Sequence, residues 1–173
     1  MSYTDLQYYY LQLYKFSVHS AVISPATCTL TPGSVELATS KLTPDIAILV
    51  NAEGLAVAFS AGEYIRAFGP YARTFIRSLD PSTLVILKGV GLQSYYVPSD
   101  GGSGAGMPAA AYVAGLWFSS GNLGVYGSFT GNAFTEDPSP TPWPYPLVQG
   151  ENFSVIYPDF FSQSSQSPHI FTY

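Results

Sequence analysis

Charge is the scarcest ingredient of this chain. Only 10% of its 173 residues are Asp, Glu, Lys or Arg, against about 25% in an ordinary soluble domain. Six are basic and eleven acidic, for a formal net charge of −5. That balance argues against a general nucleic-acid binder, which needs a basic face to displace counterions from phosphates. Cysteine is almost absent. Cys28 is the single one, so neither an intramolecular disulfide nor a zinc knuckle can form, and a thiol between Thr27 and Thr29 reads as buried. There are two histidines, His19 and His169. Alternation turns His19 outward on a strand, His169 lies in a polar tail, and no Gly-x-Ser-x-Gly elbow accompanies either, so a hydrolytic triad is not indicated. Long apolar runs are missing too. Residues 46–62 are interrupted by Asn51 and Glu53, and residues 107–118 are too few to span a bilayer as a helix. The start Met1-Ser2-Tyr3-Thr4-Asp5 has no charged n-region and no apolar h-region, so no signal peptide is expected and synthesis is expected in the cytoplasm.

What the chain has instead is strand composition. Glycine (16) and proline (14) cut it into short pieces rich in Val, Ile, Tyr, Phe and Thr. Helical periodicity is scarce. Residues 8–23 read as a first long strand with a bulge or bend near Leu13. Residues 27–31 and 34–40 follow. Residues 46–50 are a continuous apolar run, the pattern of a strand buried on both faces. Asn51-Ala52-Glu53-Gly54 turns the chain into a second strand over 55–60, the clearest hairpin in the sequence. Residues 63–68 fit a strand or one helical turn, and 72–79 fit a strand or a short helix. Residues 84–88 form another apparently buried strand, and 93–97 a short one. Residues 98–109 are a Gly-rich loop. Residues 110–119 place Tyr112, Ala114, Leu116 and Phe118 on one face. Residues 123–130 alternate Leu123, Val125, Gly127 and Phe129 against Gly124, Tyr126 and Ser128. Prolines 138, 140, 142, 144 and 146 make an extended connection over 134–150. Residues 152–157 are the last strand, and 158–173 a polar and aromatic tail. The expected fold is therefore one all-β domain over residues 1–173, a jelly-roll barrel or sandwich of about eight strands with long loops and terminal arms.

Candidate chemistry is thin. Glu36, Glu63 and Glu151 lie in strand-like runs where two acids could flank a glycosidic bond, but solvated strand faces explain them as well. Asp100, Glu136 and Asp137 lack the spacing of a calcium loop. Gly102-Ser103-Gly104-Ala105-Gly106 lacks the Gly-Lys-Ser/Thr of a phosphate loop. No catalytic residue, metal site or cofactor is expected, and the chain is not expected to be an enzyme.

Binding surface remains. Aromatics make up 16% of the chain, with 14 Tyr and 11 Phe. They gather at Tyr8-Tyr9-Tyr10, at Trp143 and Tyr145, and at Phe160, Phe161, Phe171 and Tyr173. Such arms gain by burial against a partner. Arg66, Arg73 and Arg77 are half of the basic residues and form either an anion site or an inter-subunit salt-bridge cluster.

These whole-chain features resemble one known group: the strand runs from Tyr8 to Tyr157, the Pro138–Pro146 segment, and the low-charge aromatic composition. The chain looks like the small major capsid protein of tailless icosahedral bacteriophages of thermophiles with an internal membrane. The resemblance implies an upright single jelly roll and a structural role in the virion. It implies a homodimer that co-assembles with a second, larger capsid protein and has possible contact with the internal viral membrane. It carries no catalytic residues. Two other readings compete. One is a carbohydrate-binding β-sandwich module that stacks sugars on Trp117, Trp143 or Tyr145. The other is a small β-sandwich glycoside hydrolase.

Overall fold

The computed structural model describes residues 16–20, 23–24, 29–30, 35–40, 45–65, 69–98, 106–137, 147–162 and 167–173. Every regular element among them is a strand, and the ladders are antiparallel. The expected all-β class is what is found, in an arrangement consistent with a β-sandwich.

Strands β1 (Phe16–Ser20) and β4 (Val35–Ser40) form a small sheet, and β2 (Ile23–Ser24) pairs with β3 (Thr29–Leu30). The larger sheet contains β5 (Ile46–Val50), β6 (Leu55–Ile65), β7 (Gly69–Leu79), β8 (Ile86–Tyr96), β9 (Met107–Ala109) and β12 (Ala133–Asp137). Its order is β12-β8-β7-β6-β5, with β9 also on β8. The second sheet runs β10-β11-β13-β14, from β10 (Ala111–Ser119), β11 (Asn122–Phe129), β13 (Asn152–Tyr157) and β14 (His169–Thr172). Strand β10 packs across β5, β6 and β7, so the second sheet covers the inner face of the first.

The core between the sheets follows from strand alternation. From the first sheet come Ala56, Ala58, Ile76, Leu92 and Phe134; from the second, Val113, Leu123, Val125, Phe153 and Val155. Phe134 lies between Phe129 at 5.0 Å and Phe153 at 4.7 Å, ring centroid to centroid. Two side chains pin the sheets together. Thr74 Oγ1 donates to the Ala111 carbonyl at 3.0 Å, and Ser60 Oγ accepts from the Val113 amide at 2.8 Å. Each satisfies a buried polar group that would otherwise be costly.

The hairpin at 51–54 forms as its sequence predicts. The Asn51 carboxamide oxygen accepts from the amides of Glu53 and Gly54, and the Asn51 amide donates to the Gly54 carbonyl. Residues 72–79 resolve to strand. The expected strands 84–88 and 93–97 merge into one, β8 (Ile86–Tyr96), with Leu84 and Val85 in the loop before it and Val97 just after it. Gly89 does not break the strand because it stands opposite Arg77 on β7, whose side chain fills the space a Cβ would take.

Several expectations are corrected. Residues 133–137 are a strand rather than the start of the proline connection, because Phe134 and the Thr135–Gln93 pairing add a rung beside β8. Met107–Ala109 likewise pairs with β8 instead of belonging wholly to the Gly-rich loop. The C-terminal tail contains β14, paired with β13. On β10 the expected shared face of Tyr112, Ala114, Leu116 and Phe118 is interrupted, because an irregularity between Val113 and Gly115 shifts the register; Ala111 and Val113 are buried before it, and Leu116 packs on the core after it. Strands β5 and the start of β8 are not buried on both faces, a point that carries the functional argument below.

Candidate functional site

The larger sheet has an outer face opposite the sandwich core. Pairing register lays it out in rows. Ile46, Phe59, Phe75 and Gly91 form one row, Ile48, Val57, Arg77 and Gly89 the next, and Val50, Leu55, Leu79 and Ile86 the third. Leu55, Val57, Phe59, Ala61 and Leu79 are buried there with Leu84, and Phe75 packs against them.

Leu84 reaches this face through a tight loop. The Asp80 carboxylate oxygen Oδ1 accepts from the amides of Ser82 and Thr83 and from both hydroxyls. The Leu84 amide donates to the Asp80 carbonyl, and the Asp80 amide to the Val85 carbonyl. Closing this loop puts Leu84 at φ 60°, a conformation that costs a branched residue energy and persists only where its surroundings enforce it. Burial of the Leu84 side chain is that enforcement. The hydrogen bonds also hold the Asp80 carboxyl down at about 2.

The edge of the face is open. On β5, Ile46 is 53% exposed, Ile48 65% and Val50 69%. Their neighbours Ala47 and Leu49 point the other way, onto the core. Strand β5 ends the sheet, and its outer backbone groups have no partner among the described residues. Val85, Ile86 and Leu87 are exposed where β8 begins in the same sheet. The sequence writes both segments as buried strands, and a single copy leaves them half uncovered.

The second sheet ends at β14, which pairs only with β13 among the described residues. Ile170 is exposed there, Phe171 is 53% exposed, and Tyr173 just beyond is 65% exposed. The Tyr173 backbone is nevertheless fixed, with its carbonyl accepting from Glu151 and Asn152 and its amide donating to Asn152.

The predicted interface residues therefore divide. Phe171 and Tyr173 are surface. Phe160 is not: it is fully buried against Tyr157, because the turn after β13 folds it under the sheet. Phe161 is half-buried, packed against Phe118 and lying on Gly54, where an added Cβ would come within 2.5 Å of its ring. Tyr8, Tyr9, Tyr10, Trp143 and Tyr145 lie outside the described residues.

The arginine cluster divides as well. Arg66 lies outside the described residues. Arg73 and Arg77 share one face of β7. The Arg73 Nε donates to the Tyr71 hydroxyl, which also accepts from Gln93. Arg77 lies over the Phe75 ring, 5.0 Å from its centroid, and donates to the carbonyls of Ile76 and Val90. Burial lowers its pKa. Arg77 has no carboxylate partner among the described residues.

Sequence reading weighed Glu136 only as a calcium ligand and missed its buried neighbours. Glu136 sits half-buried at the end of β12, near Lys88 and the buried hydroxyl of Tyr157, which makes no hydrogen bond of good geometry. Burial raises the Glu136 carboxyl, with Lys88 and Tyr157 opposing that rise. Burial and the neighbouring carboxylate raise the Tyr157 hydroxyl well above its ordinary value. The Lys88 ammonium donates to the Phe160 carbonyl and lies over its ring. Burial thus favours the protonated carboxyl of Glu136, while Lys88 and Tyr157 favour its ion. Its signal in the sequence was the alternation Phe134, Glu136, which puts both on the inner face. The three acids considered for glycoside chemistry are spread over β4, β6 and the residue just before β13. Among the described residues no three potential metal ligands cluster. Trp117, considered for sugar stacking, has one ring face pressed on Gly124.

No helix among the described residues is long and apolar enough to cross a membrane. Comparison with known proteins found no matching protein family, no matching curated protein and no matching solved structure.

Proposed function

We propose that this chain is a structural subunit of an extended protein assembly, a single jelly-roll coat protein of an icosahedral virion. In this reading it self-associates, co-assembles with a second, larger coat protein, and the shell encloses a membrane.

One observation carries the reading. Two end strands, β5 on one sheet and β14 on the other, have one edge unpaired among the described residues and bear exposed large apolar side chains. An edge without a charged or prolyl guard is an invitation to pair, and soluble monomers usually blunt it. Residues 46–50 and 169–172 hold no Lys, Arg, Asp, Glu or Pro. A subunit with one such edge stops at a dimer when the contact is two-fold; a subunit with two can propagate into a shell. The composition agrees, since so few charges leave little to keep apolar patches apart. The jelly-roll reading and the viral setting rest on the whole-chain resemblance alone, since β5 to β8 pair in sequence order as a meander.

Multi-angle light scattering over a wide concentration range tests the proposal. Dimers and larger species that grow with concentration are expected, and closed or sheet-like particles by electron microscopy when a partner coat protein is added. A strict monomer at high concentration, with and without partner, overturns it.

A further inference from the structure

Strand β5 combines four features. It is the last strand of its sheet. Its ladder to β6 runs without a bulge from Ile46–Phe59 to Val50–Leu55. Its outer backbone groups are unpaired among the described residues. Its outward side chains Ile46, Ile48 and Val50 are all exposed, whereas Phe59, Val57 and Leu55 directly beside them are buried. Straightness, an unpaired ladder and an uncharged apolar row are what an added strand requires.

From these we infer that β5 pairs edge to edge and antiparallel with β5 of a second copy, about a two-fold axis at Ile48. This rests on the assembly reading and names the contact and the partner within it.

Register and direction follow from the residues. An antiparallel pair centred on Ile48 sets Ile48 against Ile48, Ile46 against Val50, and Ala47 against Leu49. It is the one register that engages all five residues of both strands. Every outward apolar side chain then meets another across the seam, the unit by which sheets gain cohesion. Ala47 and Leu49 stay on the inner face, so both cores continue through the seam.

Charge selects the direction. Asp45 precedes the strand and Glu53 follows it. A parallel pair would stack Asp45 on Asp45 and Glu53 on Glu53 in a molecule already at −5, and like charges directly opposite are unfavourable. The antiparallel pair brings Asp45 beside Asn51 instead. It also makes the contact self-complementary, as a two-fold interface must be.

The test uses the full chain and three variants. Ile48→Lys puts a charge at the axis on a side chain that is already exposed, so the subunit is expected to fold with an unchanged circular dichroism spectrum and to lose the dimer by light scattering. Phe171→Lys, on the other open edge, is expected to keep that dimer. Ile48→Cys is expected to form a disulfide between the two introduced thiols on mild oxidation, because directly opposed residues bring them within bonding range. Peptide mass spectrometry identifies the product as two copies of the β5 peptide joined through position 48. A dimer that survives Ile48→Lys, or that gives no such joined peptide with Ile48→Cys, overturns the β5 seam and leaves assembly standing through another surface. A dimer lost with Phe171→Lys but kept with Ile48→Lys moves the two-fold to β14 and likewise overturns it. A wild-type monomer at every concentration overturns both this inference and the assembly reading.

Discussion

The guanidinium of Arg77 fills the space that Gly89 leaves on the neighbouring strand. A Cβ on Gly89 would come within 2.8 Å of Arg77 Nη1 and 3.0 Å of its Cδ. The pair lets a cation cross the apolar outer face with its donors on the carbonyls of Ile76 and Val90.

That relationship separates two kinds of glycine. At Gly89 the obstacle is the end of a flexible side chain. Gly89→Ala is expected to displace Arg77 and cost about 1 kcal/mol, the worth of a hydrogen bond to a backbone carbonyl. At Gly62 the obstacle is backbone, with Ala72 Cα at 2.6 Å and the Tyr71 carbonyl carbon at 2.8 Å. Gly62→Ala is expected to cost about 3 kcal/mol, the upper end for overpacking. Urea denaturation of the two variants checks the order.

Phe134 is the keystone of the aromatic stack. Its ring lies at 5.0 Å from Phe129 and 4.7 Å from Phe153. Phe134→Ala is expected to cost about 3–5 kcal/mol through lost burial and a residual cavity. Phe171→Ala, on an exposed ring, is expected to change stability by less than about 0.5 kcal/mol. Chemical denaturation of both at low protein concentration checks the contrast.

Asp80 predicts an acid dependence. Its carboxyl is lowered from 3.8 to about 2 by hydrogen bonds from Ser82 and Thr83. A depressed folded pKa contributes stability above the unfolded value, and that contribution is lost as pH falls from about 3.8 towards 2. Asp80→Ala is expected to lower Tm at neutral pH, with the gap to wild type closing across that interval. A gap that stays constant in acid would contradict the role given to the carboxylate.

Glu136 has the opposite sign. Burial raises its carboxyl, so the folded state disfavours the ion. At low pH both states are protonated and nothing is lost. As pH rises through the unfolded and then the folded value, the native state is penalised. Glu136→Gln is expected to raise Tm at neutral pH and to leave it unchanged in acid.

Much of the fold was legible in the sequence because alternation and turn chemistry are local. Asn51 to Gly54 announced a hairpin, and Leu123, Val125 and Phe129 announced a buried face. What was not legible depended on distant partners. Gly89 looked like a break because Arg77, which fills its side of the ladder, is a strand away. Phe160 looked like part of an arm because its burial depends on a turn closing beneath Tyr157. The candidate site was legible in an inverted way. Ile46 to Val50 reads as a strand covered twice, and the folded chain covers it once. The pattern is met only when a second surface is counted. The setting of Glu136 stayed hidden because a Glu-Asp pair beside prolines gives no hint of the tyrosine that Glu136 will face.

The polar pins between the sheets have a mechanical consequence. Thr74 and Ser60 tie β10 to the larger sheet at one end of the sandwich, while the rings around Phe134 interlock the layers elsewhere. Sliding one layer over the other would break both at once. In the proposed assembly, curvature or size variation would therefore be absorbed at the joints between copies, with each subunit acting as a stiff tile.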